Sequence, residues 1–120
     1  MAKRETVFVT NKSPDHDYTS ATKFGSLRFV TSGNYPVFKT ARLIEEITDV
    51  LVYSEANDYI LPSGSATIAA IVLTIWLEMH SQARILLWDR TQSSYVLREI
   101  DKQSIRLGIE STKDKLKVAR

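Results

Sequence analysis

Hydrophobic and polar positions change period several times along the chain, and each change predicts an element. "TVFVT", residues 6–10, is β-branched and aromatic and predicts a strand, closed by the turn formers Asn11-Lys12-Ser13-Pro14-Asp15. A polar stretch through Lys23 predicts a loop. "SLRFVTSG" predicts a second strand over residues 27–31, closed by Ser32-Gly33-Asn34. The period then lengthens. Leu43, Ile44, Ile47, Val50 and Leu51 fall at helical spacing, with Arg42, Glu45, Glu46 and Asp49 on the other face. That predicts a helix over 40–53, with Thr40 as its N-cap and Glu45 and Glu46 near the positive end of its dipole.

"DYILP" predicts a short strand, and Ser63 or Ser65 can cap a helix over 66–80. This second helix is apolar on nearly every face, so its own sheet or another subunit must cover it. "ARILLWD" and "SSYVLREI" predict two strands joined at Arg90-Thr91-Gln92 as a hairpin. In the charged segment 101–120, Ile105, Ile109 and Leu116 form a thin apolar stripe. The segment reads as a charged tail, a short helix or an arm lying on a neighbour. Strand–helix–strand alternation predicts a small Rossmann-like α/β sandwich over residues 1–100, mostly parallel, with a C-terminal antiparallel hairpin.

Composition changes this picture little. The 120 residues fit one domain, and 43% apolar with 25% charged residues is ordinary for a soluble globular chain. With no cysteine, disulfides and thiolate metal sites are excluded. A net charge of +2 does not argue for nucleic acid. No signal peptide is visible in "MAKRETVFVTNK", and the apolar run 68–77 is well short of the ~20 residues a membrane span needs. The expectation is a cytoplasmic protein.

Candidate chemistry gathers in two loops. In open α/β sheets ligands sit beyond the carboxyl ends of parallel strands. Two loops leave such ends: Thr10-Asn11-Lys12-Ser13 and Ser63-Gly64-Ser65-Ala66-Thr67. In the second, Gly64 permits close backbone approach, Ser63, Ser65 and Thr67 offer hydroxyls, and the helix start offers amides and a positive dipole end. Lys12 adds a cation. The competing interpretation is a turn plus a helix cap that binds nothing. "SPDHDY" is a third candidate: His16 between Asp15 and Asp17 has the chemistry of an acid–base group, and Tyr18 that of a stacking platform. Against it stands an exposed loop of Asx-turns. His80 reads as a helix C-terminal residue, and Trp76 and Trp88 as core or interface. Lys113, Lys115, Lys117 and Arg120 read as a solvated tail first and a polyanion contact second. No GxSxG or HExxH motif is present, so no catalytic residue, metal ligand or cofactor is assigned.

Two resemblances follow from these residues. "VFVTNK…HDY…KFG…LRFV" with "DYILPSG" resembles a group of small proteins encoded by tailed bacteriophages, up to Ile100. It implies a viral origin, hence the host cytoplasm or the virion, and assigns no activity. The layout of "VTNKSP" and "PSGSATIAAIV" resembles CRISPR-associated Rossmann-fold (CARF) sensor domains. Those bind cyclic oligoadenylates across a dimer, and the resemblance implies ligand contacts at Thr10, Asn11, Lys12, Ser63, Gly64, Ser65 and Thr67. Such motifs often carry two glycines and a lysine where Ser65 and Ala66 stand here. The two resulting readings are a homo-oligomeric nucleotide-binding phage-type protein and a non-catalytic structural or interaction protein of a virus. A small hydrolase using His16 or Asp17 is a third.

Overall fold

The computed structural model describes residues 4–36 and 38–118; Lys3 and Arg120, which add to the basic character of the two ends, lie outside them. The chain runs β1 (Thr6–Lys12), a 3-10 turn (Thr19–Lys23), β2 (Ser26–Ser32), α1 (Thr40–Leu51), β3 (Tyr59–Leu61), α2 (Ala66–Met79), β4 (Gln82–Asp89), β5 (Ser94–Asp101) and α3 (Lys102–Val118). The strands form one sheet in the order β2-β1-β3-β4-β5. The first four run parallel, and β5 returns antiparallel to β4 along its whole length, from Gln82↔Asp101 to Asp89↔Ser94.

Both faces of the sheet are covered, which is why β1 and β3 read as unbroken apolar runs. On one face Phe8, Ile60 and Ile85 meet α1 and α2. Helix α1 contributes Leu43, Ile47 and Leu51, and α2 contributes Ile68, Val72 and Trp76, each set spaced by four residues and fully buried. The Trp76 ring stands edge-on to Phe8 at 5.7 Å, and its indole N–H donates to the Gln82 carbonyl at 3.0 Å. On the other face Val7, Val9, Leu61, Leu86 and Tyr95 pack beneath Tyr18 and Ala21. A segment read as polar loop therefore closes half of the core.

The all-round apolar α2 is largely covered within its own chain, while Ile71, Leu73, Ile75 and Leu77 stay partly exposed. Helix α1 ends at Leu51 rather than at Tyr53, and its N-cap position is Lys39, which makes no side-chain cap; Thr40 is already helical. The segment after β5 is a helix of 17 residues, none of them buried. Among the described residues no helix is long and apolar enough to cross a membrane.

Candidate functional site

Strand order decides where the two strand-end loops lie. Chain leaving β1 turns towards β2 at one edge, and chain leaving β3 turns towards β4 on the other side. β1 and β3 are neighbours, so their carboxyl ends diverge around a crevice, the position at which open α/β sheets hold ligands. The two loops converge there.

One hydroxyl joins them. Thr10 Oγ1 donates to the Ser63 carbonyl at 3.0 Å and accepts from the Ser63 amide at 2.9 Å. Beneath it, Thr31 Oγ1 donates to the Thr10 carbonyl at 2.9 Å. Gly64 follows with φ of +68°, and a Cβ there would lie 2.7 Å from Asn11 Nδ2. The loop thus presses its backbone onto Asn11, which only glycine permits. Ser65 then caps α2, its Oγ accepting from the Ile68 amide at 3.3 Å. Ser65 fills the capping role, and Ser63 does not.

The crevice is a cavity of about 400 Å³. Asn11, Lys12, Ser13 and Pro14 form one wall, Gly64 and Ser65 the second, and Gly33, Asn34 and Tyr35 a third. None of these lining residues is acidic. The third wall is held by the Gly33 amide, which donates to the Lys12 carbonyl at 2.9 Å. Lys12 also places its ammonium 4.9 Å from the Phe29 ring centroid. Tyr35 is shared with a neighbouring cavity of about 300 Å³ whose other walls are Pro36, Lys39, Arg42 and Leu43.

Of the residues singled out in the sequence, Asn11, Lys12, Gly64 and Ser65 line the crevice together. Thr10 and Ser63 lie one layer beneath, their hydroxyls engaged: Ser63 Oγ is 2.6 Å from the Tyr18 hydroxyl, which also accepts from the Ser13 amide at 2.8 Å. Thr67 is exposed on the first turn of α2, outside the lining. His16 is brought elsewhere. Its Nε2 is 2.6 Å from the Tyr95 hydroxyl, and its ring packs 4.5 Å from Tyr18 and 6.2 Å from Trp88. Burial, followed by the neighbouring Tyr18 and Asp17, pushes the Tyr95 phenol up to about 12, so it stays protonated at ordinary pH. Asp17 accepts from the Thr19 hydroxyl and amide, which holds its carboxyl below the usual value and fixes the start of the 3-10 turn. Of the acid–base candidate read in "SPDHDY", Asp17 thus serves as a turn cap and His16 sits in an aromatic cluster.

Gly33, Asn34 and Tyr35 were not anticipated as site residues. Their sequence signal is an ordinary strand-ending turn; only the pairing of β2 beside β1 carries it to the crevice. Among the described residues no group of three His, Cys, Asp or Glu side chains could hold a metal ion. The arrangement offers amides, amide side chains, hydroxyls and a cation: groups that hold an anion.

No curated protein and no solved structure matches the chain. The family model described as Phage Pam3 gp32-like protein matches residues 5–102. That span takes in all five strands and both helices that cover the sheet, and it stops at the first residue of α3. The chain therefore belongs to the Phage Pam3 gp32-like protein family.

Proposed function

We propose that this phage-family protein binds a phosphate-bearing small molecule, a nucleotide or cyclic nucleotide, in the crevice between the ends of β1 and β3, and sequesters it without chemistry. The observation that carries the reading is the convergence of the two strand-end loops around a cavity of about 400 Å³ with no acidic residue in its lining. That volume lies within the range of small-ligand sites. A phosphate would meet the Ala66 and Thr67 amides that open α2, the Ile68 amide being taken by Ser65, at the positive end of the helix dipole. Lys12 would add charge, Asn11 and Asn34 would hydrogen-bond, and Tyr35 would stand as the wall against a base.

The test is a melting-temperature and calorimetry panel of mono- and dinucleotides, cyclic nucleotides, cyclic oligoadenylates and inorganic phosphate. A true ligand at about 100 times its dissociation constant stabilises the fold by about 2.7 kcal/mol. Lys12→Ala should abolish that gain and His16→Ala should keep it. No shift with any phosphate compound at millimolar concentration overturns the reading.

A structural or interaction role for a viral protein is the second reading. It is favoured by α3, a helix with no buried residue. Many copies of the chain in purified virions would establish it over the first.

A further inference from the structure

Helix α3 stands away from the body. The radius of gyration is 16.3 Å, against about 14 Å for a compact chain of this length. At its start Lys102, Ile105 and Arg106 share a cleft with Thr74, Leu77 and Glu78 of α2, and beyond that point the helix continues without cover. Ile105, Ile109, Thr112 and Leu116 follow a 4-3-4 spacing and fall within an arc of about 60°. So narrow a stripe suits a helix–helix seam better than a bilayer, which calls for a broad apolar face. Lys102, Lys113 and Arg106 flank the stripe on one side, with Lys117 and then Glu110 further round that side, Lys115 flanks it on the other, and Asp114 points away. Two α3 helices would set these basic flanks against each other. The complementary surface is an apolar helix shoulder edged with acid.

The chain carries such a surface on α1. Ile44 and Val52 are 42% and 58% exposed, in line with Ala41 and Thr48, and Glu45 and Asp49 edge that row. Beyond the row, Phe38 before the helix is 95% exposed, and Tyr53 after it is 68% exposed with its ring 5.5 Å from the Arg28 guanidinium. A protomer cannot use both surfaces on itself by a short path: α1 packs on α2 and β2, and α3 leaves from β5 at the opposite edge of the sheet. We propose that α3 of one copy docks on α1 of a second copy, its isoleucine stripe against Ile44, Thr48 and Val52 and its lysines against Glu45 and Asp49, with a reciprocal exchange closing a two-fold dimer. Reciprocity doubles the contact and leaves neither patch open. The proposal is independent of any ligand in the crevice.

The experiment is sedimentation equilibrium on the full chain and on two exposed double variants, Lys113→Glu with Lys117→Glu and Glu45→Lys with Asp49→Lys. The full chain is expected to dimerise, more weakly as salt rises. Each variant is expected to weaken the dimer by about tenfold or more, and an equimolar mixture of the two is expected to regain it, because each reversed helix then meets a reversed partner. Ile109→Glu should also give monomer, with an unchanged circular dichroism spectrum. A full chain that stays monomeric at several hundred micromolar overturns the proposal. So does a dimer indifferent to the α1 reversals, or a monomer that sediments with phosphatidylserine vesicles through Lys113 and Lys117.

Discussion

Gly64 meets two demands at one position, and they can be separated by comparison with Gly33. Both have positive φ, +68° and +63°, but a Cβ at Gly33 would meet nothing within 4 Å, whereas at Gly64 it would strike Asn11. Gly33→Ala should therefore cost only the left-handed backbone term, about 1 kcal/mol. Gly64→Ala should cost that plus the displacement of Asn11, roughly 2–3 kcal/mol in all, read as a difference in denaturant midpoint at constant slope. Equal losses would mean that the close approach to Asn11 is not needed. At His80 the relevant variable is pH. The ring packs 4.8 Å from Trp76, and Nε2 is 2.9 Å from Ser54 Oγ. Burial lowers its pKa from 6.5, and nearby Asp58 opposes that only in part. Because the folded value lies below the unfolded one, the stabilising contribution is complete above about pH 6.5 and is lost as pH falls through the lower folded value. The melting temperature should drop on acidification across this window, and His80→Gln should flatten the slope there.

At the scale of elements, the loop before β3 is tied to β1 by a single carboxylate. Asp58, 5% exposed, accepts from the Thr6 amide and from the Glu55 amide, both at 2.8 Å. Asp58→Ala would strip two amides of a charged acceptor, and the expected loss is about 2–4 kcal/mol in urea denaturation. Helix α3 should behave in the opposite way. With no residue of it buried, a chain ending at Lys102 should still unfold cooperatively, its melting temperature within about 4 °C of the full chain when both are compared as monomers. This contrast also explains what the sequence could reveal. Helix α1 was legible because its apolar residues fall at helical spacing against a charged face, α2 because a serine cap opens a long apolar run, and the strands because their runs are β-branched and bounded by turn formers. The 3-10 turn was not: Asp17 caps its start locally, but what seats residues 19–23 on the sheet is the burial of Tyr18 and Ala21 and the Tyr18 hydroxyl reaching Ser63, a contact 45 positions away. The N-cap of α1 was misplaced because Thr40 looks like a cap yet is already helical. The length of α3 stayed open because its stripe contacts too little of the body to be dictated by it.

At the scale of the molecule, the decisive quantity is strand order, which no local pattern states. Alternation of strands and helices was enough to predict a parallel sheet with a closing hairpin. Whether the loops after β1 and β3 meet depended on β2 lying outside β1, a matter of crossover path rather than composition. That order brought Asn11 and Lys12 to Gly64 and Ser65, added the unforeseen Gly33, Asn34 and Tyr35, and left His16 on the other side of Tyr18. The same order ranks the molecule's internal stability. β1 and β3 are central, buried on both faces and paired on both sides, so their amides should exchange with solvent only through global unfolding. Helix α3 has no such protection within one chain, so its amides should exchange through local fraying. If α3 docks on another copy, its exchange must slow as protein concentration rises while that of β1 stays fixed. A crevice ligand should slow residues 64–67 at any concentration and leave α3 unchanged. Hydrogen exchange with mass spectrometry at two protein concentrations, with and without nucleotide, therefore separates assembly from ligand binding. A uniform response of α3 and residues 64–67 to both variables would show that the two surfaces are coupled and would refute their independence.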